Sequence, residues 1–172
     1  MQTQTFNNEK SPDTKLFIKM VLDGWETHNA RCKKMLEALT DEQLFSETAP
    51  GRNRGIYLAG HLLAVSDAML PLLGFCDRLY PHLEQLFLSS PDRSVAELPS
   101  TVELKQYGDE INARLSYYIN QLLPGEWFEK HTAVSDEDFA LEPHRNRLNV
   151  MINRTNHMSY HLGQLAYLIK KE

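Results

Sequence analysis

The sequence predicts an all-α protein, a four-helix bundle in a single domain, and three observations carry this prediction. Four long segments place apolar residues at alternating three- and four-residue steps, which is the period of an amphipathic helix. Each segment is bounded by residue types that begin or end helices. No run that alternates apolar and polar residues outcompetes the helical interpretation. We expect a tail over residues 1–10 and one helical domain over residues 11–172.

The first helix is predicted to begin at Ser11-Pro12-Asp13, where Ser11 can cap, Pro12 suits the first helical position and Asp13 complements the helix dipole. The helix closes near Thr40, and a loop runs from there to about Gly55. The apolar stripe of this first helix consists of Ile18, Leu22, Trp25, Asn29, Cys32, Leu36 and Leu39.

The second helix is predicted from about Ile56 to Gly74, with Pro71 kinking or ending it. A short helix follows Pro81, and Ser89–Ser94 has the composition of a loop. One face of the second helix carries Tyr57, His61, Ala64, Val65, Ala68 and Leu72.

The third helix begins at Ser100, which has capping-box spacing to Glu103, and Pro124-Gly125 marks its end. A polar connection then leads to the last helix, predicted from about Asn146 to Lys170. Similar triplets, Arg52-Asn53-Arg54 and Arg145-Asn146-Arg147, precede the second and fourth helices. Each Asn is a reasonable N-cap. The alternatives are chance and a functional pair of basic entrances to a site.

Composition narrows the function classes. With 18 basic and 23 acidic residues the formal net charge is −5, and the charges are interspersed. We therefore expect neither a nucleic-acid binder nor a protein held on anionic membranes, because both need a concentrated positive face. We also expect no membrane-spanning helix, no export signal, and hence a cytoplasmic location. Cys32 and Cys76 are too few for a disulfide framework and are expected to be reduced.

Three of the seven histidines form the most informative pattern. His157 and His161 stand four residues apart on the last helix, the spacing with which one helix offers two imidazoles to one metal ion. Both are expected to point into the bundle, as is His61 on the second helix. Burying three imidazoles is costly unless each finds a partner. A shared metal ion is one answer, and three separately hydrogen-bonded core histidines are the other.

The segments Gly60-His61-Leu62-Leu63-Ala64-Val65-Ser66-Asp67 and Asn156-His157-Met158-Ser159-Tyr160-His161-Leu162-Gly163-Gln164-Leu165 resemble the DinB-like (YfiT-like) metalloenzyme family. The resemblance extends from about Ser11 to the end of the chain. It implies an up-up-down-down four-helix bundle, frequent homodimers, and a divalent metal held by His61, His157 and His161. Relatives include thiol-dependent transferases and isomerases, which makes a low-molecular-weight thiol a candidate cofactor. No residue set here identifies one.

An ion held by three neutral imidazoles keeps its charge and open positions, so it can ionise bound water or a substrate thiol. Zn, Ni and Fe all suit imidazole. Tyr57 and Gln164 are expected near the ion or the substrate, while Arg54 and Arg147 could receive an anion or simply be solvated. No nucleophile–base set stands out, so the catalytic residues are not assigned. The expected function is a metal-dependent thiol transferase or hydrolase-like enzyme acting on a small molecule; the alternative is a bundle with a structural ion.

Overall fold

A computed structural model describes residues 12–169, and this part of the chain is all-α, with two isolated β-bridges and no strand. Ser11, Lys170 and the predicted N-terminal tail lie outside the described residues. A π-helical turn covers Gln85–Ser89, and 3-10 turns cover Pro124–Phe128 and Ala166–Leu168. The α-helices are α1 Pro12–Ala38, α2 Asp41–Phe45, α3 Gly55–Leu72, α4 His82–Glu84, α5 Thr101–Ile119, α6 Asp136–Leu141 and α7 Arg147–Leu165.

The helix starts test the capping predictions individually. Ser100 and Glu103 form the predicted capping box of α5, and the Asn146 side chain accepts the backbone N–H of Asn149 at the start of α7. The prediction is wrong for Asn53, because Arg54 occupies the N-cap of α3 and makes no side-chain cap bond. Helix α2 was not expected, since five residues are too few to show a period; it is instead nucleated by the capping box of Thr40.

The four long helices pack around one core, α1 against α5 and α7, and α3 against the same two helices. Gly55 meets Leu168 and Gly74 meets Arg147, so α3 and α7 are antiparallel. Gly108 lies against Leu63, and Phe75 stacks on Tyr118, so α3 and α5 are parallel.

Helix α1 runs antiparallel to α5, because Lys33 pairs with Asp109 while the start of α1 lies beside Ile119. The directions in chain order are therefore up, down, down, up. The expected up-up-down-down connectivity is wrong: α1 and α3 are joined at neighbouring ends by residues 39–54, and the connection that returns along the molecule is residues 73–100.

Helix α3 is apolar on nearly every side because α5, α7 and the π-helical turn all cover it. The face predicted to be buried is so only at Ala64, which is fully buried. The other members of that face are half-buried: Tyr57, His61, Val65, Ala68 and Leu72. The length and apolar composition of this helix also differ from the expectation that no segment resembles a membrane span. By length and composition alone Gly55–Leu72 passes that test, with a mean hydropathy of 1.3, but 72% of it is buried inside the protein.

Two contacts hold the segment after α3 against that helix. The fully buried Asp67 carboxylate accepts the backbone N–H groups of Leu79 and Tyr80 at 2.8 and 3.0 Å. Gly60 lets the fully buried Phe87 ring rest directly on the α3 backbone, since a Cβ atom at Gly60 would lie 2.3 Å from that ring. The π-helical turn is therefore seated on α3 beside His61.

Gly60→Ala tests this seating. The added methyl group must displace Phe87, and overpacking of this kind costs about 1–3 kcal/mol of unfolding free energy, measured by urea denaturation. Gly163→Ala on α7 is the matched control because its Cβ would meet nothing within 4 Å. That control should keep or gain stability, by up to ~1 kcal/mol from helix propensity. Equal stabilities of the two variants would contradict the close packing.

Candidate metal centre

The three predicted histidines converge across the α3–α7 interface. The Nε2 atom of His157 lies 3.2 Å from Nε2 of His61 and 3.1 Å from Nε2 of His161. One ring nitrogen from each residue lies within 4.8 Å of the others, so the cluster could bind a metal ion. Imidazole nitrogens that share one ion at ~2.1 Å lie about 3–3.5 Å apart, which matches this spacing.

The opposite ring nitrogens show where the protons lie. His61 donates its Nδ1–H to the Phe87 carbonyl at 2.9 Å, and His161 donates its Nδ1–H to Oε1 of Gln164 at 2.6 Å. The Nε2 atoms of both neutral rings therefore carry lone pairs aimed at His157. This pattern, a ring N–H anchored on an oxygen and a free lone pair inward, is how metal-bound histidines are oriented.

His157 differs from its two neighbours. Its Nδ1 atom is buried and has no hydrogen-bond partner among the described residues. Without an ion, the single Nε2–H of His157 can satisfy only one of the two facing lone pairs fully. The site as folded is therefore short of positive charge at its centre, and a cation would supply it.

Gln164 and Tyr57 were both expected near the ion or the substrate, and the structure places them differently. Gln164 touches the site directly through His161, and its amide nitrogen donates to the Tyr160 hydroxyl at 3.3 Å. The Tyr57 hydroxyl donates to the Ser90 carbonyl at 2.8 Å and lies 3.4 Å from the Phe87 carbonyl oxygen that His61 contacts. Tyr57 thus braces the turn that carries the Phe87 carbonyl, while its ring stacks beside His61.

The two arginines considered as anion receptors are already paired. Arg54 makes a bidentate contact with Asp92, with Nη2 at 2.7 Å from Oδ1, and its backbone N–H adds a third bond. Arg147 pairs with Glu129 at 3.0 Å. Both arginines anchor connecting segments to helix starts, so neither presents a free cation to the histidine cluster.

Burial and electrostatics keep His157 and His161 neutral. Burial, the neighbouring His161 and His61, and the charge of Arg154 lower the pKa of His157 to about 4. Burial also lowers the pKa of His161, although the Gln164 bond opposes that shift. At neutral pH these imidazoles are therefore unprotonated and available as ligands.

The cluster is not sealed inside the protein. All three histidines are half-buried, so the expectation that they point into the bundle interior is only partly met: they line the exposed edge of the α3–α7 interface. A cavity of about 260 Å³ adjoins His161, Gln164 and Tyr160 and reaches the loop at Gly51–Asn53. Among residues 12–169, no cysteine or carboxylate joins the three histidines as a fourth ligand.

Sequence reasoning missed two parts of this site. The acceptor for His61 is the backbone carbonyl of Phe87, which no side-chain pattern can show. The second missed part is Arg154, whose spacing of three residues before His157 was the available signal.

The lowered pKa of His157 predicts a pH dependence of stability for metal-free protein. Below its ordinary pKa of 6.5 the unfolded chain takes up a proton that folded His157 does not accept until about pH 4. The unfolding free energy should therefore fall as the pH drops from 6.5 toward 4. Urea denaturation after chelator treatment measures it.

His157→Gln should flatten this dependence above the range where carboxylates titrate, and His144→Gln, at an exposed position, should leave it unchanged. If His157→Gln and the unaltered protein lost stability in parallel, the lowered pKa would be contradicted.

The comparisons with known proteins show a similarity of fold only. No protein-family model matches the sequence, and no curated protein does. A solved structure, that of a conserved protein from Enterococcus faecalis, is similar over 87% of this chain and 93% of its own, with a TM-score of 0.61 and 18% sequence identity. At that identity the similarity shows a shared fold and carries no function.

Proposed function

We propose that this protein is a divalent-metal-dependent enzyme of the DinB-like family, a four-helix bundle in which His61, His157 and His161 hold the ion. The observation that carries the proposal is the convergence of three Nε2 atoms, two of them aimed inward by anchored Nδ1–H groups. Three separately satisfied core histidines would each have a partner of their own. Here His61 and His161 each have an oxygen partner at Nδ1, yet their Nε2 atoms both face Nε2 of His157 at 3.2 and 3.1 Å.

The donor set fits Zn, Ni or Fe, all of which accept neutral imidazole. The chemistry that such an ion supplies when bound is Lewis acidity, which lowers the pKa of a coordinated water or thiol. The chain's own residues do the positioning. Phe87 and Gln164 fix the rings of His61 and His161, and the lowered pKa of His157 keeps that ligand unprotonated at neutral pH.

Three features favour an enzyme over a bundle with a structural ion. Only three histidines contribute to the cluster among the described residues, whereas structural zinc sites are closed by four protein ligands. The histidines are half-buried rather than sealed. A cavity beside His161 and Gln164 gives a small molecule room near the cluster.

The proposed reaction is a thiol (S-)transferase or hydrolase-like conversion of a small molecule, with a low-molecular-weight thiol as a candidate co-substrate. A homodimer in the cytoplasm is part of the same proposal. The interspersed charges and the net −5 support a small-molecule ligand rather than nucleic acid or an anionic membrane.

Metal loading tests the proposal. Purified protein incubated with Zn²⁺ and desalted should retain one ion per chain by elemental analysis. His61→Ala and His157→Ala should each lose it, because two imidazoles bind far more weakly than three. His144→Ala is the matched control, since His144 is exposed and lies outside the cluster. If the unaltered protein kept no ion after loading, both the enzyme and the structural ion would be rejected.

Cobalt-loaded protein separates the two functions. An open site should change its visible spectrum when a small thiol such as 2-mercaptoethanol is added, because the thiolate enters a free coordination position. A closed structural site should keep its spectrum, and a thiol-insensitive spectrum would therefore favour the structural ion.

A further inference from the structure

Arg154 is unusual among the cations of the described chain. It is half-buried on α7, yet between residues 12 and 169 it has no ion pair and no hydrogen bond. Arg54 and Arg147 are also largely buried, and each forms an ion pair with a carboxylate. The nitrogens of Arg154 are not among the buried partnerless atoms of the described residues, so its guanidinium reaches solvent and is free to receive an anion.

Its position places it beside the histidine cluster. Arg154 precedes His157 by three residues, which puts the two side chains on one face of α7. The antiparallel contacts Gly55–Leu168 and Gly74–Arg147 set Arg154 opposite the C-terminal third of α3. The half-buried α3 residues at that level are Val65 and Ala68, which offer no negative charge.

Two histidines lie within electrostatic range of Arg154. Its charge contributes to lowering the pKa of His157 and of His131, after the effect of burial in both cases. The Nδ1 atoms of both histidines are buried without a partner. When Nε2 of His157 faces an ion, its proton lies on Nδ1, and that N–H has no protein acceptor.

We propose that Arg154 binds the carboxylate of a small-molecule ligand beside the three-histidine cluster. This proposal extends the proposed function. It rests on that function where it identifies the ligand with the enzyme's substrate. A guanidinium fork matches a carboxylate in shape and charge. With a divalent ion on neutral histidines and no acidic residue in the cluster, the site would be strongly positive, which favours an anionic ligand.

Acetate and acetamide are a matched pair of probes, similar in shape and different in charge. Each is titrated at constant ionic strength into chelator-treated protein and into zinc-loaded protein, while the Arg154 Nε–H and the His131 ring signals are followed by NMR. Acetate should shift these signals saturably in both preparations, and acetamide should not.

Arg154→Gln should weaken acetate binding by about tenfold or more, since hydrogen bonds to charged groups are among the stronger ones. For this variant the His131 signal is the readout, and the thermal unfolding midpoint confirms that it folds. Arg154→Lys should retain part of the binding through its charge. Arg114→Gln, an exposed site on α5, is the matched control and should bind acetate normally.

The outcomes separate this inference from the metal proposal. Acetate binding that depends on Arg154 in a protein that takes up no zinc would support the anion site and reject the metal centre. Zinc uptake without saturable acetate shifts, or with shifts unchanged in Arg154→Gln, would overturn the anion site alone.

Discussion

Three imidazole nitrogens held about 3 Å apart are the constraint on which the rest of the site depends. Lone pairs at that distance repel unless a proton or a cation lies between them, and the neutral rings supply at most one proton. Specific contacts in the fold support this arrangement. The Phe87 carbonyl and the Gln164 amide hold two rings with their lone pairs inward, and Gly60 lets the turn bearing Phe87 lie against α3.

The packing of α3 explains why the site is both rigid and accessible. Helix α5, the π-helical turn and the segment tied to Asp67 cover most of α3. One face remains half-buried, and it carries His61. The histidine cluster is therefore held in part by a well-covered helix, while its rings stay partly accessible. Preorganisation with access is what a reactive centre needs, and a purely structural ion would not need the access.

Local chemistry made much of this fold predictable. The caps at Ser100 and Asn146 and the i, i+4 pair on α7 depend on neighbours in sequence, and the structure places the pair and His61 together. Helix direction depends on which ends of the long connections meet, and the sequence does not encode that locally. The burial of α3 was misjudged for a related reason: a helix that is apolar all round has no periodic signal for its exposed face. The Phe87 carbonyl and the unpaired Arg154 emerge only from tertiary contacts.

Nitrogen-15 NMR of the histidine rings tests the central claim most directly, because it reports which ring nitrogen carries the proton. In metal-free protein at neutral pH, His61 and His161 should be Nδ1–H tautomers. Zinc should shift the Nε2 signals of these two and of His157, and should place the His157 proton on Nδ1 as well. Nε2–H tautomers at His61 and His161, or a zinc response confined to other histidines, would contradict a shared metal centre.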